Sequence, residues 1–375
     1  MPGASSFVVD PGDLHHTEVI DLEPEPLAPG GGSVRLAVEA FGLTANNVTY
    51  AVFGDALGYW TSFPAPVGRG AVPAWGFAHV EASEHPDVAV GSRFYGFVPM
   101  ATHVDVRPTA VTTGGFTDGE PRRAGQAAAY TRFVDPAQDA LHRDGEEDLE
   151  LLLRPLFTTS FLLEDHLAQG AWQGADAVLL TSASSKTAIG VAHLLSRRPD
   201  PRPAVVGLTS PANLGFVRDL GCYDRVLPYE EAASLPTGPS ALVDVAGNPS
   251  VVAALHHRLG DRLTSSTILG DTHWDAGAGV GAGGDPLPGP ERRLFFAPDQ
   301  VERRRAEWGP GGVEARLTEA WRSFTPRAAT WFTIVHGNGP DAVRRTWEES
   351  LRGEVPPSVA HVLSLRGDDV GHLTG

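Results

Sequence analysis

The feature that most restricts this chain is the alternation of short, unbroken apolar runs with helix-like stretches between residues 177 and 269. Ala177-Val178-Leu179-Leu180-Thr181 is apolar almost throughout and short, as expected of a strand buried on both faces. After the turn Ser182-Ala183-Ser184-Ser185, a helix-like stretch runs from Lys186 to Leu195. A second run, Ala204 to Leu208, leads into a helix over Asn213 to Leu220 that Gly221 closes from the C′ position. Ala241 to Ala246 is a third strand. Asn248 then supplies an N-cap and Pro249 the first residue of a helix reaching Gly260, and Leu263 to Leu269 is a fourth strand. Strand and helix alternating through short links predict right-handed βαβ units and a doubly wound parallel sheet.

The first half has a different rhythm. Val34 to Val38, Phe77 to Glu81 and Arg93 to Phe97 read as short strands between Gly and Pro turns, which predicts an antiparallel or barrel-like β domain. Gly54 to Pro73 reads as a long ordered loop, and Asp135 to Glu150 as an acidic approach to a domain boundary. Leu149 to Leu167 reads as a helix interrupted at Pro155. Beyond the parallel sheet, Gly277 to Pro290 reads as loop and Leu294 to Ala297 as a further strand. Gln300 to Phe324 carries at least one charged amphipathic helix, and Trp331 to Leu365 gives strand, helix (Pro340 to Leu351), strand. At 375 residues the chain exceeds one ordinary core, and roughly 150 residues per domain implies two or three.

Charge and cysteine content remove several functions. A net charge of −17 repels phosphate backbones and anionic lipid surfaces, which argues against nucleic-acid and membrane partners. No apolar run approaches the roughly 20 residues that span a bilayer, and no secretory leader is evident, so a cytoplasmic location is expected. Cys222 is the only cysteine, which leaves no intramolecular disulfide, cysteine-rich zinc lobe or Cys-x-x-Cys pair. Neither a Gly-x-Ser-x-Gly elbow nor a nucleotide triphosphatase loop is present.

In a doubly wound sheet the turn after the first strand is the natural anion site, because backbone N–H groups and the positive end of a helix converge there. Here that turn is Thr181-Ser182-Ala183-Ser184-Ser185-Lys186-Thr187, with no glycine between Gly174 and Gly190. The dinucleotide fingerprint is therefore missing. Small serines leave room, the hydroxyls of Ser182, Ser184, Ser185 and Thr187 can donate to phosphate oxygens, and Lys186 adds a point charge. The plain alternative is a serine-rich helix cap with a solvated lysine. The second strand ends in Thr209-Ser210 without a carboxylate for ribose hydroxyls, so a dinucleotide bound here would be NADP(H) rather than NAD(H). Asn248 completes the cofactor candidates.

Val205-Val206-Gly207-Leu208-Thr209-Ser210 through Leu220-Gly221-Cys222-Tyr223-Asp224, with Val243-Asp244-Val245-Ala246-Gly247-Asn248, resembles the cofactor domain of the medium-chain dehydrogenase/reductase superfamily. Gly42 to Asn47 and Val90 to Gly96 are similar to the GroES-like catalytic domain of its quinone oxidoreductase and enoyl reductase branches. Thr44 to Asn47, Ser182 to Thr187, Gly270 to Trp274 and Phe295 to Pro298 more closely resemble an uncharacterised, domain-of-unknown-function branch.

The resemblance implies a GroES-like catalytic domain from residues 1–150 and 326–375, interrupted by a Rossmann-type cofactor domain at 151–325, with the active site between them. Zinc-dependent relatives use Cys and His ligands; no cysteine lies in the first domain and His79-Val80-Glu81 supplies too few, so no metal is expected. The activity implied is that of a zinc-independent, NADPH-dependent oxidoreductase acting on an activated carbonyl or conjugated alkene of a small, sometimes carrier-bound, acyl substrate. Homodimers are expected by analogy with zinc-free relatives. Tyr50 and Tyr59 fall near the segment that carries a functional tyrosine in enoyl reductases, with packing as the alternative role. Asn46 and Asn47 are candidates to orient a carbonyl or cofactor amide, and His273 to lie near the nicotinamide. His193, His256 and His257 read as packing or surface residues. The competing reading is a non-redox dehydratase, lyase or isomerase on the same scaffold with a lost or repurposed dinucleotide site.

Overall fold

A computed structural model describes residues 4–23, 25–235, 237–245, 247–269 and 287–367. The chain divides after residue 152 and again after residue 331 into two compact units, the first made of both ends of the chain.

In the first unit β1 (Ala4–Asp10) and β2 (Asp13–Leu22) form an antiparallel hairpin. Then come β3 (Val34–Leu43), α1 (Ala45–Val52), β4 (Gly70–Ala71), β5 (Pro73–Ser83), β6 (Arg93–Pro99), β7 (His103–Val106), β8 (Pro108–Thr112) and β9 (Gly115–Asp118). α2 (Ala128–Thr131) and β10 (Arg132–Val134) follow, and α3 (Glu147–Gln169) begins in this unit and continues into the second. The observed strands extend those expected around residues 34, 77 and 93, and they are buried along most of their length, through β-branched and aromatic positions. In the segment expected as loop, Tyr59–Thr61 forms a single 3-10 turn and Gly70–Ala71 pairs with β1.

α3 is unbroken at Pro155. A proline in a helix strands the carbonyl four residues back, here that of Leu151. Gly42 of β3 lies against that carbonyl: a Cβ on Gly42 would stand 2.5 Å from the Leu151 oxygen. The hydroxyls of Thr158 and Thr159 bond back to the carbonyls of Arg154 and Pro155.

The second unit holds β11 (Ala177–Leu180), α4 (Lys186–Ser196), β12 (Ala204–Thr209), α5 (Leu214–Asp219), β13 (Arg225–Pro228), β14 (Ser240–Asp244), α6 (Pro249–Leu259), β15 (Leu263–Ile268) and β16 (Arg292–Leu294). All six strands are parallel, in the order β13-β12-β11-β14-β15-β16. Leu179, Val206, Leu208, Leu242 and Leu255 lie in one core cluster with Leu263, which explains why these runs are apolar without alternation. The strand expected over Leu294 to Ala297 is shifted: β16 ends at Leu294 and Phe296 occupies the N-cap position of α7 (Ala297–Trp308), whose second residue is Pro298. α8 (Gly312–Trp331) follows.

The return segment, β17 (Thr333–Asn338), α9 (Pro340–Leu351) and β18 (Val359–Ser364), is a parallel βαβ unit. β18 pairs antiparallel with β3 and extends the first unit's larger sheet. Trp347 of α9 is fully buried, donates its indole N–H to the Leu14 carbonyl at 2.9 Å and meets Phe7 edge to face. The C-terminal helix is thereby fixed to the N-terminal hairpin.

Candidate active site

β11 and β14 are neighbours although β12 and β13 intervene in sequence, so the strand order reverses between them. Crevices of this kind, at the carboxyl ends of the strands, are where open α/β sheets place ligands. The serine turn opens there. Ser182 adopts a left-handed backbone, φ 47°, the conformation for which a dinucleotide turn uses glycine. Its N–H donates to the Tyr229 hydroxyl at 2.9 Å, the Ala183 N–H to the Leu208 carbonyl at 3.0 Å, and the Ser185 N–H to the Ser182 carbonyl at 2.8 Å. The Tyr223 hydroxyl donates to the Ala183 carbonyl at 2.8 Å. Much of the turn's backbone is thus bound by the protein's own groups; Tyr229 drew no attention in the sequence, and Tyr223 only as part of the resemblance, with no role at this turn.

The candidate side chains divide by what they already hold. Ser185 is the N-cap of α4 and accepts the Ala188 N–H; Ser184 accepts the Asn213 amide at 3.1 Å, joining the first and second strand-end turns. Asn213 occupies an N-cap position without capping. Lys186 and Thr187 are the first two residues of α4, partly buried, at the positive end of the helix. Burial pulls the Lys186 ammonium down to about 8. Thr209 is buried at the end of β12 and Ser210 partly so. Asn248 caps α6, its side-chain oxygen accepting from the Ser250 and Val251 N–H groups.

Asp244, at the end of β14, sits at the reversal point and is buried. Its carboxylate accepts the Thr181 hydroxyl at 2.9 Å and the Gly247 N–H at 3.1 Å, and Arg292 of β16 answers its charge at 2.8 Å. The Thr181 oxygen in turn accepts the Val245 N–H. This network links β16 and the ends of β11 and β14, and neutralises the carboxylate beside the turn. It was not anticipated from the sequence, since Asp244 and Arg292 lie 48 residues apart.

In the first unit, Tyr50 and Tyr59 lie together in an aromatic cluster with Trp75, Phe97 and Tyr130. Tyr50 and Tyr59 rings are 4.8 Å apart. The Tyr50 oxygen accepts the Trp75 indole N–H at 3.0 Å and is also bonded by Asn46, while the Tyr59 and Tyr130 hydroxyls share a hydrogen bond of 2.9 Å. Burial raises all three phenols, so they stay neutral at ordinary pH. Tyr130 had no sequence signal, lying in the featureless stretch Ala127-Ala128-Ala129-Tyr130.

Asn47 is committed elsewhere: its oxygen accepts the Thr44 N–H at 2.8 Å in a capping box and its amide donates to the Pro73 carbonyl at 3.0 Å. Asn46, not Asn47, reaches a candidate phenol. His273 lies outside the described residues. Among the described residues, no group of three or more His, Cys, Asp or Glu is arranged to hold a metal ion, and no helix is long and apolar enough to cross a membrane.

The family described as protein of unknown function, DUF2855, matches residues 41–356. The chain belongs to this family. No curated protein sequence matches this DUF2855 member. Among solved structures it is similar to CurA of Vibrio vulnificus in complex with NADPH, with 15% identity and a TM-score of 0.60 over 96% of this chain and 99% of that one. It is also similar to the YhdH oxidoreductase of Salmonella enterica in complex with NADP, with 16% identity and a TM-score of 0.53 over 96% and 100% of the two chains. A mutant enoyl thioester reductase of Candida tropicalis matches with 10% identity and a TM-score of 0.56 over 97% and 100%. These likenesses show that the DUF2855 chain has the expected fold, a GroES-like β-rich unit with a doubly wound Rossmann-type unit.

Proposed function

We propose that this protein is a zinc-independent, NADP(H)-dependent oxidoreductase that reduces an activated carbonyl or conjugated alkene of a small acyl substrate. The observation that carries the reading is the strand-order reversal between β11 and β14, where the N-terminus of α4, with Lys186 and Thr187, opens beside a carboxylate already neutralised by Arg292. That donor set of helix N–H groups, hydroxyls and one ammonium suits a diphosphate. Thr209 and Ser210 end β12 without an acid, a setting that accepts a 2′-phosphate. The similar structures solved with NADPH or NADP support the same cofactor.

When bound, NADPH would supply the hydride. The chain supplies the rest. Lys186, Thr187 and the hydroxyls of Ser182, Ser184 and Ser185 hold the phosphates, with Asn248 beside them on the next strand-end turn. Tyr50 and Tyr59 are the candidate proton donors, each a neutral phenol that can release its proton to an enolate or alkoxide. Tyr130, bonded to Tyr59, is the group through which that proton is replaced.

Thermal unfolding with millimolar NADPH and NADH tests the reading. NADPH is expected to raise the melting temperature more than NADH. If Lys186 also reaches the 2′-phosphate beside Thr209 and Ser210, Lys186→Ala should weaken NADPH more than NADH; equal losses would restrict it to the shared diphosphate, and unchanged affinity for both would remove it from the phosphate contacts. Absence of any response to either cofactor would favour the non-redox reading.

A further inference from the structure

The Tyr59 and Tyr130 hydroxyls meet at 2.9 Å although the two residues lie 71 positions apart, each on a short and weak segment. Tyr59 opens a single 3-10 turn, Tyr59–Thr61, that follows Gly58 in the left-handed region at φ 70°. Tyr130 lies in α2, one turn of four residues whose N-cap, Ala127, makes no side-chain capping bond. A lone turn is a poor support, because its first hydrogen bond must fix several dihedrals at once. A bond between two hydroxyls weakens steeply once its angle is lost, so something else has to keep the two turns in register.

A buried polar chain beside them does this. Arg123 is 2% exposed and pairs with Asp118 at the end of β9, Nη1 to Oδ2 at 2.8 Å. The other oxygen of Asp118 accepts the N–H groups of Arg107 and Glu120 at 2.9 and 3.1 Å, which fixes the carboxylate to its own backbone. From that anchor Arg123 Nη2 donates to the Tyr130 carbonyl, and Nε donates to the Gln126 side-chain oxygen at 3.4 Å. The Gln126 amide nitrogen then donates to the Gly58 carbonyl at 3.2 Å and to the Ser62 hydroxyl at 2.7 Å. Gly58 and Ser62 bracket the Tyr59 turn. One guanidinium therefore reaches the Tyr130 turn directly and the Tyr59 turn through one amide.

Stability alone does not call for this arrangement. Two charges must leave water to form a buried ion pair, and apolar side chains of the same volume often serve the fold as well or better. The loop that carries Tyr59 also has its own anchor, the Trp60 ring, which lies so close to Gly54 and Gly70 that neither has room for a Cβ. What the guanidinium adds is direction, since its planar fork holds several donors at fixed angles.

We propose that Arg123 and Gln126 are positioning residues for proton delivery, setting the Tyr59–Tyr130 hydrogen bond by holding the backbone on both sides of it. The proposal rests on the reading that these phenols supply the proton, and its test does not need the reaction. Arg123→Lys keeps a charge opposite Asp118 but gives up the fork, because an ammonium is a single point on a flexible stem. Gln126→Met keeps the approximate volume and removes both tethers to the Tyr59 turn.

The test is NMR of the whole protein with tyrosine labelled at the ring carbon that bears the hydroxyl. The chain has six tyrosines, so the signals are few enough to assign from single Tyr→Phe variants. In Tyr130→Phe the Tyr59 signal marks that phenol without its partner. Arg123→Lys and Gln126→Met should each move the Tyr59 signal most of the way to that mark, while circular dichroism shows a folded chain. Should Arg123→Lys fail to fold, Gln126→Met, which lies outside the ion pair, decides alone. A Tyr59 signal at its wild-type position in either folded variant would overturn the proposal, since a purely structural ion pair moves the urea midpoint and leaves the phenols bonded. Undiminished turnover of Tyr59→Phe would instead sink the proton-donor reading, an outcome that the NMR result neither requires nor imitates.

Discussion

Lys186 joins two pH effects of opposite sign. Its folded value of about 8 lies below the roughly 10.4 of an exposed lysine, so between those values the unfolded chain binds more protons and this residue makes the cofactor-free protein more stable as pH rises. The phosphate contact needs the ammonium form, so NADPH affinity should fall by up to about ten-fold per pH unit above pH 8. Fluorescence titration of NADPH between pH 7 and 9 measures this, and a flat profile would detach the lysine from the cofactor. For the phenols, a proton donor should lose about 10²–10⁴ in turnover on replacement by Phe while the protein stays folded. Tyr50→Phe also removes the acceptor of the Trp75 indole N–H and should cost about 1–3 kcal/mol in urea unfolding. Tyr59→Phe takes the partner from the Tyr130 hydroxyl and should cost about 1 kcal/mol. Comparing turnover with stability in the two variants separates catalysis from packing.

The turn between β11 and α4 carries strain that a glycine would relieve. Ser182→Gly should be neutral or stabilising by up to about 1 kcal/mol, measured as the urea midpoint. Asp244→Ala strands the Thr181 hydroxyl, the Gly247 N–H and the Arg292 guanidinium at once, and should destabilise by about 3–5 kcal/mol. At this scale the sequence is readable where a local rule governs. The strands of the parallel sheet, the Asn248 cap and the Gly221 stop follow from apolar runs and single capping residues. β13 escapes such a reading because Arg225-Val226-Leu227-Pro228 is too short and too mixed to register as a buried strand. The uninterrupted α3 escapes it because the partner that accommodates its proline, Gly42, lies more than a hundred positions away. The hydroxyls of Tyr223 and Tyr229 and the Asp244 network are tertiary in the same sense, and no spacing in the sequence announces them. Asn47 draws attention as a chemical group because a capping amide and a substrate-binding amide look alike in one dimension.

The whole molecule combines one continuous unit with one assembled from both ends of the chain. A fragment of residues 147–331, retaining all of α3 and its own apolar core, should fold alone and keep the NADPH response, as judged by circular dichroism and a cofactor-dependent melting shift. The other unit lacks this independence. The Phe41, Gly42 and Leu43 edge of β3 is completed only by His361, Val362 and Leu363 of β18. During synthesis at about 5–20 residues per second, the intervening chain of some three hundred residues takes roughly 16–60 s to emerge. For that interval the nascent N-terminal half exposes an unpaired strand edge, the kind of surface that recruits neighbouring polypeptides. The ribosome-bound intermediate, more than the finished protein, is therefore where a chaperone has something to cover.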